Sequence, residues 1–209
     1  YYDELMDKTH IIPNGIDDFW LKNSCECKGD RLNSSSPIKL VYAGRIDKNK
    51  NITTTQKAIK LLRSNGYPVT LTVVGKIQDK KEYELIIKDE NTSYLPAMPK
   101  EKLINLYRKC DIFVMPSFTE SFGLVYAEAM SQGLPVIYSF GQGFDGQFAE
   151  GIVGYHVLAR NFLSVADGIK NVINNYAMIR NNVAECAKRF NWSTVVKSYD
   201  DIYHIIIDS

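Results

Sequence analysis

The chain has 209 residues, 45% of them hydrophobic, which is enough for a full core and makes one domain the default expectation. Its 25 Lys and Arg residues nearly balance its 24 Asp and Glu residues, so no broad positive field points to nucleic acid as a partner. No apolar run approaches the roughly 18 residues of a membrane-spanning helix, so no such helix is predicted.

The first part of the chain has little regular patterning. Asn14-Gly15 marks a turn that closes the short apolar piece HIIPNGID at residues 10–17. Residues 21–37 are rich in Asn, Ser, Lys and Cys, which predicts a loop.

A group of cations lies between the first clear strand and the helix that follows it. An apolar strand is predicted over Lys39–Ala43, then the loop GRIDKNKN, then an amphipathic helix over 52–65. Arg45 and Lys50 stand five residues apart in this loop. Arg offers a planar fork of donors and Lys a mobile point charge, and together they suit a diphosphate. Solvent-exposed surface charge is the alternative interpretation of both residues.

Two more strands and two more helices precede the strongest pattern in the chain. Strands are predicted over Val69–Gly75 and Thr92–Pro96, because both runs are apolar or β-branched and end at a Gly or a Pro. Charged and amphipathic helices are predicted over 79–89 and 100–110.

The stretch DIFVMPSFTESFGLVYAEAMSQGLPVIYS, at 111–139, is the centre of the pattern. Residues 112–115 predict a strand buried on both faces, and Pro116 ends it. A helix is predicted over 122–132 and a further strand over 134–138. This alternation with short connections predicts the α/β class, a Rossmann-like parallel sheet of about six strands with helices on both faces.

The loop into that helix carries residues suited to a ligand. Glu120, Phe122 and Gly123 follow a buried strand at its carboxyl end, where open α/β sheets bind ligands. Unpaired N–H groups at a helix start attract a phosphate or a sugar hydroxyl. Glu128 lies about 9 Å along the helix from Phe122 at 1.5 Å per residue, so a nucleotide on this helix would meet both carboxylates. The alternative is a helix-dipole role for Glu120 and a plain exposed position for Glu128.

The segment FGQGFDGQFAEGIVG that follows has five glycines in fifteen residues. A loop of this kind is suited to cradle a phosphate, and a flexible structural loop is an equal alternative. Asp145 and Gln147 are candidates for contact with a sugar or a partner domain. His156 lies on a predicted edge strand over 155–158 and is interpreted as a packing or surface residue rather than a catalytic base. Helices are predicted over 161–174, 176–190 and 193–207.

Taken whole, Glu120-Ser-Phe-Gly-Leu-Val-Tyr-Ala-Glu128 resembles the Glu-x7-Glu motif of glycosyltransferase family 4, whose members are retaining enzymes of the GT-B architecture that use nucleotide-activated sugars. The segment around Arg45 and Lys50 resembles the GR-(x4)-K-(G/N) element of that family. HIIPNGID resembles the segment that links the two domains of these enzymes. The resemblance covers about Ile12–Ile207 and implies the C-terminal, donor-binding half of a GT-B glycosyltransferase.

The resemblance assigns a role to each candidate residue. It implies that Glu120 is the catalytic residue that contacts the transferred sugar, and that Glu128 accepts hydrogen bonds from the ribose. It implies that Gly44, Arg45 and Lys50 hold the donor diphosphate. Backbone contacts to the sugar or phosphates are expected from Phe122, Gly123 and Leu124. The nucleobase is expected to lie near Gly75, Lys76, Ala97 and Met98.

The implied chemistry requires no metal and no cofactor. The chain lacks the Asp-x-Asp signature of the other large sugar-transferase fold, so cationic side chains and helix N-termini would meet the charge of the leaving diphosphate. Cys25 and Cys27 have only one residue between them, which is not a zinc-ligand spacing, and reduced thiols are expected. The nucleotide diphosphate sugar is expected as a substrate only.

The resemblance also divides the chain and names its partners. Residues 1–20 are expected to be the end of an N-terminal domain with its hinge, residues 21–192 the donor-binding domain, and residues 193–209 a helix that packs toward the missing N-terminal domain. That domain, the nucleotide-sugar donor and a glycan or lipid-linked acceptor are the expected partners. The family's common roles in polysaccharide biosynthesis imply a cytoplasmic location, with peripheral association at the inner face of the membrane through the full-length enzyme.

Three other functions remain open at this stage. A nucleotide-sugar 2-epimerase has the same architecture, but the Glu-x7-Glu spacing disfavours it. A dinucleotide-binding oxidoreductase would have a Gly-x-Gly-x-x-Gly turn after its first strand, whereas this chain has Gly44-Arg45-Ile46. A non-catalytic binding module that has kept the fold is the third, because a fold does not by itself determine a function.

Overall fold

Strands and helices alternate through most of the described part of the chain. The computed structural model describes residues 9–25, 32 and 36–207, so the first eight residues of the predicted hinge segment lie outside the described ranges. The strands are β1 (Ile38–Ala43), β2 (Val69–Gly75), β3 (Thr92–Pro96), β4 (Ile112–Val114), β5 (Val136–Ser139) and β6 (Gly154–Val157). The helices are α1 (Asp18–Lys22), α2 (Ile52–Ser64), α3 (Lys80–Ile86), α4 (Lys100–Tyr107), α5 (Leu124–Ser131), α6 (Phe162–Asn174), α7 (Tyr176–Ala187) and α8 (Trp192–Ile207), with 3-10 helices at Lys48–Lys50 and Lys188–Phe190.

The six strands form one parallel sheet in the order β3-β2-β1-β4-β5-β6. The chain moves outward from β1 to β3, then returns to β4 on the other side of β1 and moves outward again. Because parallel crossovers are right-handed, this reversal places the crossover helices α2 and α3 on one face of the sheet and α4 and α5 on the other. Helix α2 packs against α6, and α5 packs against α7. The predicted fold class is confirmed.

The core lies where helices cover both faces of the central strands. Every residue of β4 and β5 is buried, whereas no residue of the edge strand β3 is. Aromatic rings connect the sheet to helix α5: the Tyr126 ring centroid lies 5.6 Å from that of Phe113 and 4.7 Å from that of Phe144. Such contacts fix the helix relative to the strand before it, and this in turn fixes the loop that joins them.

Several predicted helices are shorter than expected because their ends have specific caps. Helix α5 begins at Leu124 rather than at 122, since Gly123 adopts a left-handed conformation with φ 77° and cannot be its first helical residue. Helix α3 begins after Asp79, whose carboxylate accepts a hydrogen bond of 2.9 Å from the Lys81 N–H. Helix α4 ends at Tyr107, three residues before the predicted end at 110.

The predicted loop over 21–37 is wrong at its start. Helix α1 runs into it as far as Lys22, and Asp17 caps this helix by accepting a 2.8 Å hydrogen bond from the Phe19 N–H. Cys25 is disulfide-bonded, which corrects the expectation of reduced thiols throughout, while Cys110 and Cys186 are reduced thiols. Within the described ranges, none of the helices has the length and apolar character needed to cross a bilayer.

Candidate functional site

A cavity of about 610 Å³ lies at the carboxyl end of the sheet, between the loops that follow β1 and β2 and the start of α5. Its position at the reversal of strand order is the place where open α/β sheets bind ligands. Every residue to which the resemblance assigns a role in donor binding or catalysis lines this cavity: Gly44, Arg45, Lys50, Gly75, Lys76, Ala97, Met98, Glu120, Phe122, Gly123, Leu124 and Glu128. The fold therefore brings together residues that lie up to 84 positions apart in the chain, from Gly44 to Glu128.

An ion pair joins the two loops that form the floor of the cavity. Lys50 Nζ donates to Glu120 Oε2 at 2.6 Å, and the two side chains are only 12% and 13% exposed. Lys50 ends the short 3-10 helix after β1, and Asp47 caps this helix by accepting a 3.1 Å hydrogen bond from the Lys50 N–H. With so little water around it, the pair is weakly screened by salt.

Two asparagines hold the loop after β1, which contains Lys50, against the loop after β4, which contains Glu120. Asn49 donates from Nδ2 to the Thr119 carbonyl at 2.9 Å and accepts at Oδ1 from the Thr119 N–H at 3.0 Å. Asn51 is buried and donates from Nδ2 to the carbonyls of Pro116 at 2.9 Å and Ala159 at 2.6 Å. These bonds set the distance between the two loops independently of the ion pair.

The start of helix α5 presents backbone groups to the cavity. Gly123 is its N-cap, so no side chain accepts from the first N–H groups, and Phe122, Leu124 and Val125 line the cavity beside it. A Cβ at Gly123 would lie 2.4 Å from the Tyr126 ring, so the close packing as well as the positive φ requires glycine here. An uncapped helix N-terminus with a partial positive charge suits an anion.

Arg45 is the exposed cation at the mouth of the cavity. Its side chain is 60% exposed, and its Nε lies 3.6 Å from Asp47 Oδ2. The Tyr42 hydroxyl donates to the Arg45 carbonyl, which holds the backbone while the guanidinium stays in solvent. The end of strand β2 lies very close to the loop that follows β1. A Cβ at Gly75 would lie 1.6 Å from the Gly44 carbonyl oxygen, so glycine is required at position 75.

Glu128 is a half-buried acid on the cavity side of α5. Burial, together with the negative charge of Asp17, raises the pKa of the Glu128 carboxyl to about 7, against a smaller opposite effect of Lys100. Lys100 and Asp17 form an ion pair with each other, so their effects on Glu128 partly cancel. Near neutral pH the Glu128 carboxyl is therefore held close to the midpoint of its titration.

The family profile of the glycosyl transferases group 1 matches residues 28–190, more than three quarters of the chain. The chain belongs to this family. A D-inositol 3-phosphate glycosyltransferase of Pseudarthrobacter chlorophenolicus is 28% identical over 221 residues, which cover 100% of this chain and 53% of the relative. A lipopolysaccharide 1,2-N-acetylglucosaminetransferase of Salmonella typhimurium is 30% identical over 224 residues, which cover 96% of this chain and 58% of the relative.

Solved structures of other proteins share the fold of this group 1 chain. A glycosyltransferase of Rickettsia africae superposes with a TM-score of 0.75 at 18% identity, covering 96% of this chain and 58% of that one. The Anabaena protein Alr3699/HepE, solved in complex with UDP-glucose, gives 0.73 at 20% identity, with 96% and 58% covered. The chain spans about half the length of the curated relatives described above.

The structure adds cavity residues to which the sequence analysis assigned no role, Asn14 and Ser121 among them, and the glycine-rich loop lies outside the cavity. Asn14, in the turn of HIIPNGID, lines the cavity. The only sequence feature noted at this residue was the Asn-Gly turn signal, which does not indicate a binding site. No described residue of 140–154 lines the cavity. Asp145 instead lies 2.9 Å from His156 Nδ1, and the Gln147 carbonyl accepts a 2.7 Å bond from Arg189, so both are engaged within the domain.

Proposed function

We propose that this chain is the donor-binding domain of a retaining glycosyltransferase that transfers a sugar from a nucleotide diphosphate sugar to a glycan or lipid-linked acceptor without a protein-bound metal. The observation that carries the proposal is the cavity, where three cations, two carboxylates and an uncapped helix start from separate segments line one space. The family to which the chain belongs, and a structural neighbour solved with UDP-glucose, support the same class of ligand.

The donor diphosphate is placed between the β1 loop and helix α5. Lys50 supplies a largely buried ammonium, Arg45 an exposed guanidinium, and the N–H groups after Gly123 a third positive element. A leaving diphosphate gains charge in the transition state, and positive groups fixed in advance stabilise that charge. These three elements are the basis for proposing that the reaction needs no metal.

The nucleoside is placed along α5 toward Glu128. A carboxylate accepts hydrogen bonds from two adjacent hydroxyls, which is the geometry that a ribose offers. Beyond Glu128, the exits of β2 and β3 line the cavity with Gly75, Lys76, Ala97 and Met98. Backbone groups predominate in this part, so the nucleobase would be held mainly by main-chain contacts and by the apolar Met98 side chain.

The transferred sugar is placed at Glu120, at the end of α5 opposite Glu128. The Glu120 carboxylate lies 2.6 Å from the Lys50 ammonium, in a site with little water. A fixed negative charge next to the reacting carbon stabilises the positive charge that a sugar develops there as the leaving group departs. The acceptor would attack from the leaving-group side, which retains the anomeric configuration.

A second domain is proposed to supply the acceptor site. The chain spans about half the length of its relatives, and α8 has an exposed apolar face among the described residues, with Tyr199 and Tyr203 46% and 60% exposed. Contiguous exposed apolar faces are typical of interaction surfaces. This chain alone is therefore expected to bind the donor and to transfer little or no sugar.

Calorimetric titration of the chain with UDP, GDP and ADP tests the proposal. One of the three is expected to bind, and Arg45→Ala and Glu128→Ala are each expected to weaken it by about 1–3 kcal/mol, the cost of leaving a polar partner unpaired. Lys48→Ala is the matched control, because Lys48 is an exposed cation of the same loop that does not line the cavity. Equal losses in Arg45→Ala and Lys48→Ala, or no binding of any of the three, would contradict the proposal.

A further inference from the structure

The glycine-rich loop between β5 and β6 holds the backbone of Glu120 on both sides. Gln142 Oε1 accepts a hydrogen bond of 2.9 Å from the Glu120 N–H. The next residue, Gly143, donates its N–H to the Glu120 carbonyl, also at 2.9 Å. The two residues do not line the cavity, so they reach Glu120 from the side away from a bound donor.

The contact between the two loops is made by backbone atoms at the closest approach that packing allows. A Cβ at Gly143 would lie 1.8 Å from the Ser121 carbonyl oxygen and 2.9 Å from the Phe122 nitrogen. Any larger residue would have to push apart the segment that carries Glu120. This close packing fixes the position of the loop, and with it the position of Gln142.

The part of the same loop that follows Gly143 is held to strand β6 by polar contacts with His156. Asp145 Oδ2 accepts a 2.7 Å hydrogen bond from the Gly141 N–H, and its Oδ1 lies 2.9 Å from His156 Nδ1. Glu150 Oε1 lies 3.3 Å from the same ring nitrogen. Between these anchors, Phe144 is buried, with its ring centroid 4.7 Å from that of Tyr126.

We propose that Gln142 is a positioning residue that fixes Glu120 for the transferred sugar, and that the Asp145–His156 pair holds the Gln142 loop in place. The inference rests on the proposed donor site. In the structure the Glu120 carboxylate is also held by Lys50, but a donor phosphate competes for that ammonium. The bonds that Gln142 Oε1 and the Gly143 N–H make to the Glu120 backbone do not depend on Lys50, so they keep Glu120 in position once the donor is bound. Displacements of about 1 Å matter at such a site.

The proposal predicts a selective effect on the sugar part of the donor. Gln142→Ala is expected to lower the affinity for the nucleotide sugar by roughly two- to tenfold, the range of one net hydrogen bond. The affinity for the matching nucleotide diphosphate should stay within about twofold, because Lys50, Arg45 and Glu128 are untouched. A general loosening of the structure would lower both affinities together. The affinity ratio, defined as the affinity for the nucleotide sugar divided by the affinity for the nucleotide diphosphate, therefore separates positioning from structural damage.

Gln147→Ala is the matched control. It removes the same type of side chain from the same loop, and Gln147 makes no side-chain bond to Glu120. Its affinity ratio should equal that of the wild type. Asp145→Asn removes the charge that faces His156 and should shift the ratio in the same direction as Gln142→Ala, by a smaller factor.

The experiment is calorimetric titration of the wild type and the three variants with a nucleotide diphosphate and its sugar-linked form. A lower ratio in Gln142→Ala and Asp145→Asn, with an unchanged ratio in Gln147→Ala, would support the inference. An unchanged ratio in Gln142→Ala, beside a wild type that binds both ligands, would overturn the inference and leave the proposed function standing. A wild type that binds neither ligand would overturn the proposed function, and the inference with it.

Discussion

Lys50 and Glu120, which are 70 positions apart in the chain, meet at 2.6 Å on the floor of the cavity. The cation proposed to hold the donor diphosphate and the acid proposed to face the transferred sugar are thus one electrostatic unit. Each side chain is about one-eighth exposed, so loss of one partner leaves a poorly hydrated charge. The pair is held by the asparagine bonds between its two loops as well as by its own attraction.

We therefore predict strong coupling between Lys50 and Glu120. Lys50→Met should destabilise the chain by about 1–3 kcal/mol, because it leaves the Glu120 carboxylate unpaired and partly desolvated. The double variant Lys50→Met/Glu120→Gln should regain most of that loss, because no charge then remains unpaired. Denaturant unfolding of the wild type, both single variants and the double variant gives the interaction energy. Additive losses would show that the ion pair contributes little.

A second prediction concerns the pH dependence of stability through Glu128. Its pKa is raised to about 7 from 4.5, so between these pH values the folded chain binds more protons than the unfolded chain. Stability is therefore lost as the pH rises through this window. The stability that Glu128→Gln gains over the wild type should therefore be larger at pH 8 than at pH 5, by about 1–3 kcal/mol. A shift of one pKa unit corresponds to roughly 1.4 kcal/mol.

The same Glu128→Gln variant should bind the nucleotide more weakly, since an amide has one acceptor oxygen and brings no charge to the ribose hydroxyls. Stability and binding are thus predicted to move in opposite directions at pH 8. Glu84→Gln is the control, because Glu84 is exposed on α3 and does not line the cavity. A gain in stability that is equal at both pH values would contradict the assignment to Glu128.

Asn51 provides a third prediction. It is the one non-glycine residue with a positive φ in the part of the chain that the structure describes, and it is buried with its amide bonded to Pro116 and Ala159. Asn51→Gly should lose the bonds but tolerate φ 56°, whereas Asn51→Ala should lose the bonds and also be strained. We expect the Ala variant to be less stable than the Gly variant by about 1 kcal/mol in denaturant unfolding. Equal stability would mean that strain is negligible here.

Gly143→Ala tests the close approach of the two loops. The added methyl group would meet backbone atoms of Ser121 and Phe122, which cannot turn aside as a flexible side chain would. Gly146→Ala is the control in the same loop, because no atom lies within 4 Å of its Cβ position although its φ is 80°. The Gly143 variant should lose more stability than the roughly 1 kcal/mol expected of the control from its left-handed φ. A smaller loss than that of the control would contradict the packing described here.

Most of the fold was predictable because buried parallel strands and capped helices leave strong local patterns. Strands β2 and β3 have their predicted bounds, and the apolar run before Pro116 is the centre of the sheet. Helix α1 was missed because its five residues are too few for a period, although Asp17 was a visible N-cap. The sequence left the loop over 140–154 open between a phosphate cradle and a structural loop, since glycines that permit backbone packing and glycines that admit a ligand look alike in a sequence.

The candidate site was predictable in its residues but not in its contacts. Short motifs marked Arg45, Lys50, Glu120 and Glu128, and the fold places all four in one cavity. The partnership of Lys50 with Glu120 depends on strand order, which no local pattern contains. The same holds for the contact of Gln142 with the Glu120 backbone.

The most direct test of the central claim is a crystal structure of the chain with a bound nucleotide diphosphate. We predict the diphosphate within hydrogen-bonding distance of Lys50 Nζ and of the N–H groups that follow Gly123, with the ribose hydroxyls on the Glu128 carboxylate. A nucleotide bound outside this cavity would contradict the account. So would a nucleotide in the reverse orientation, with its base at Glu120 and its phosphates at Glu128.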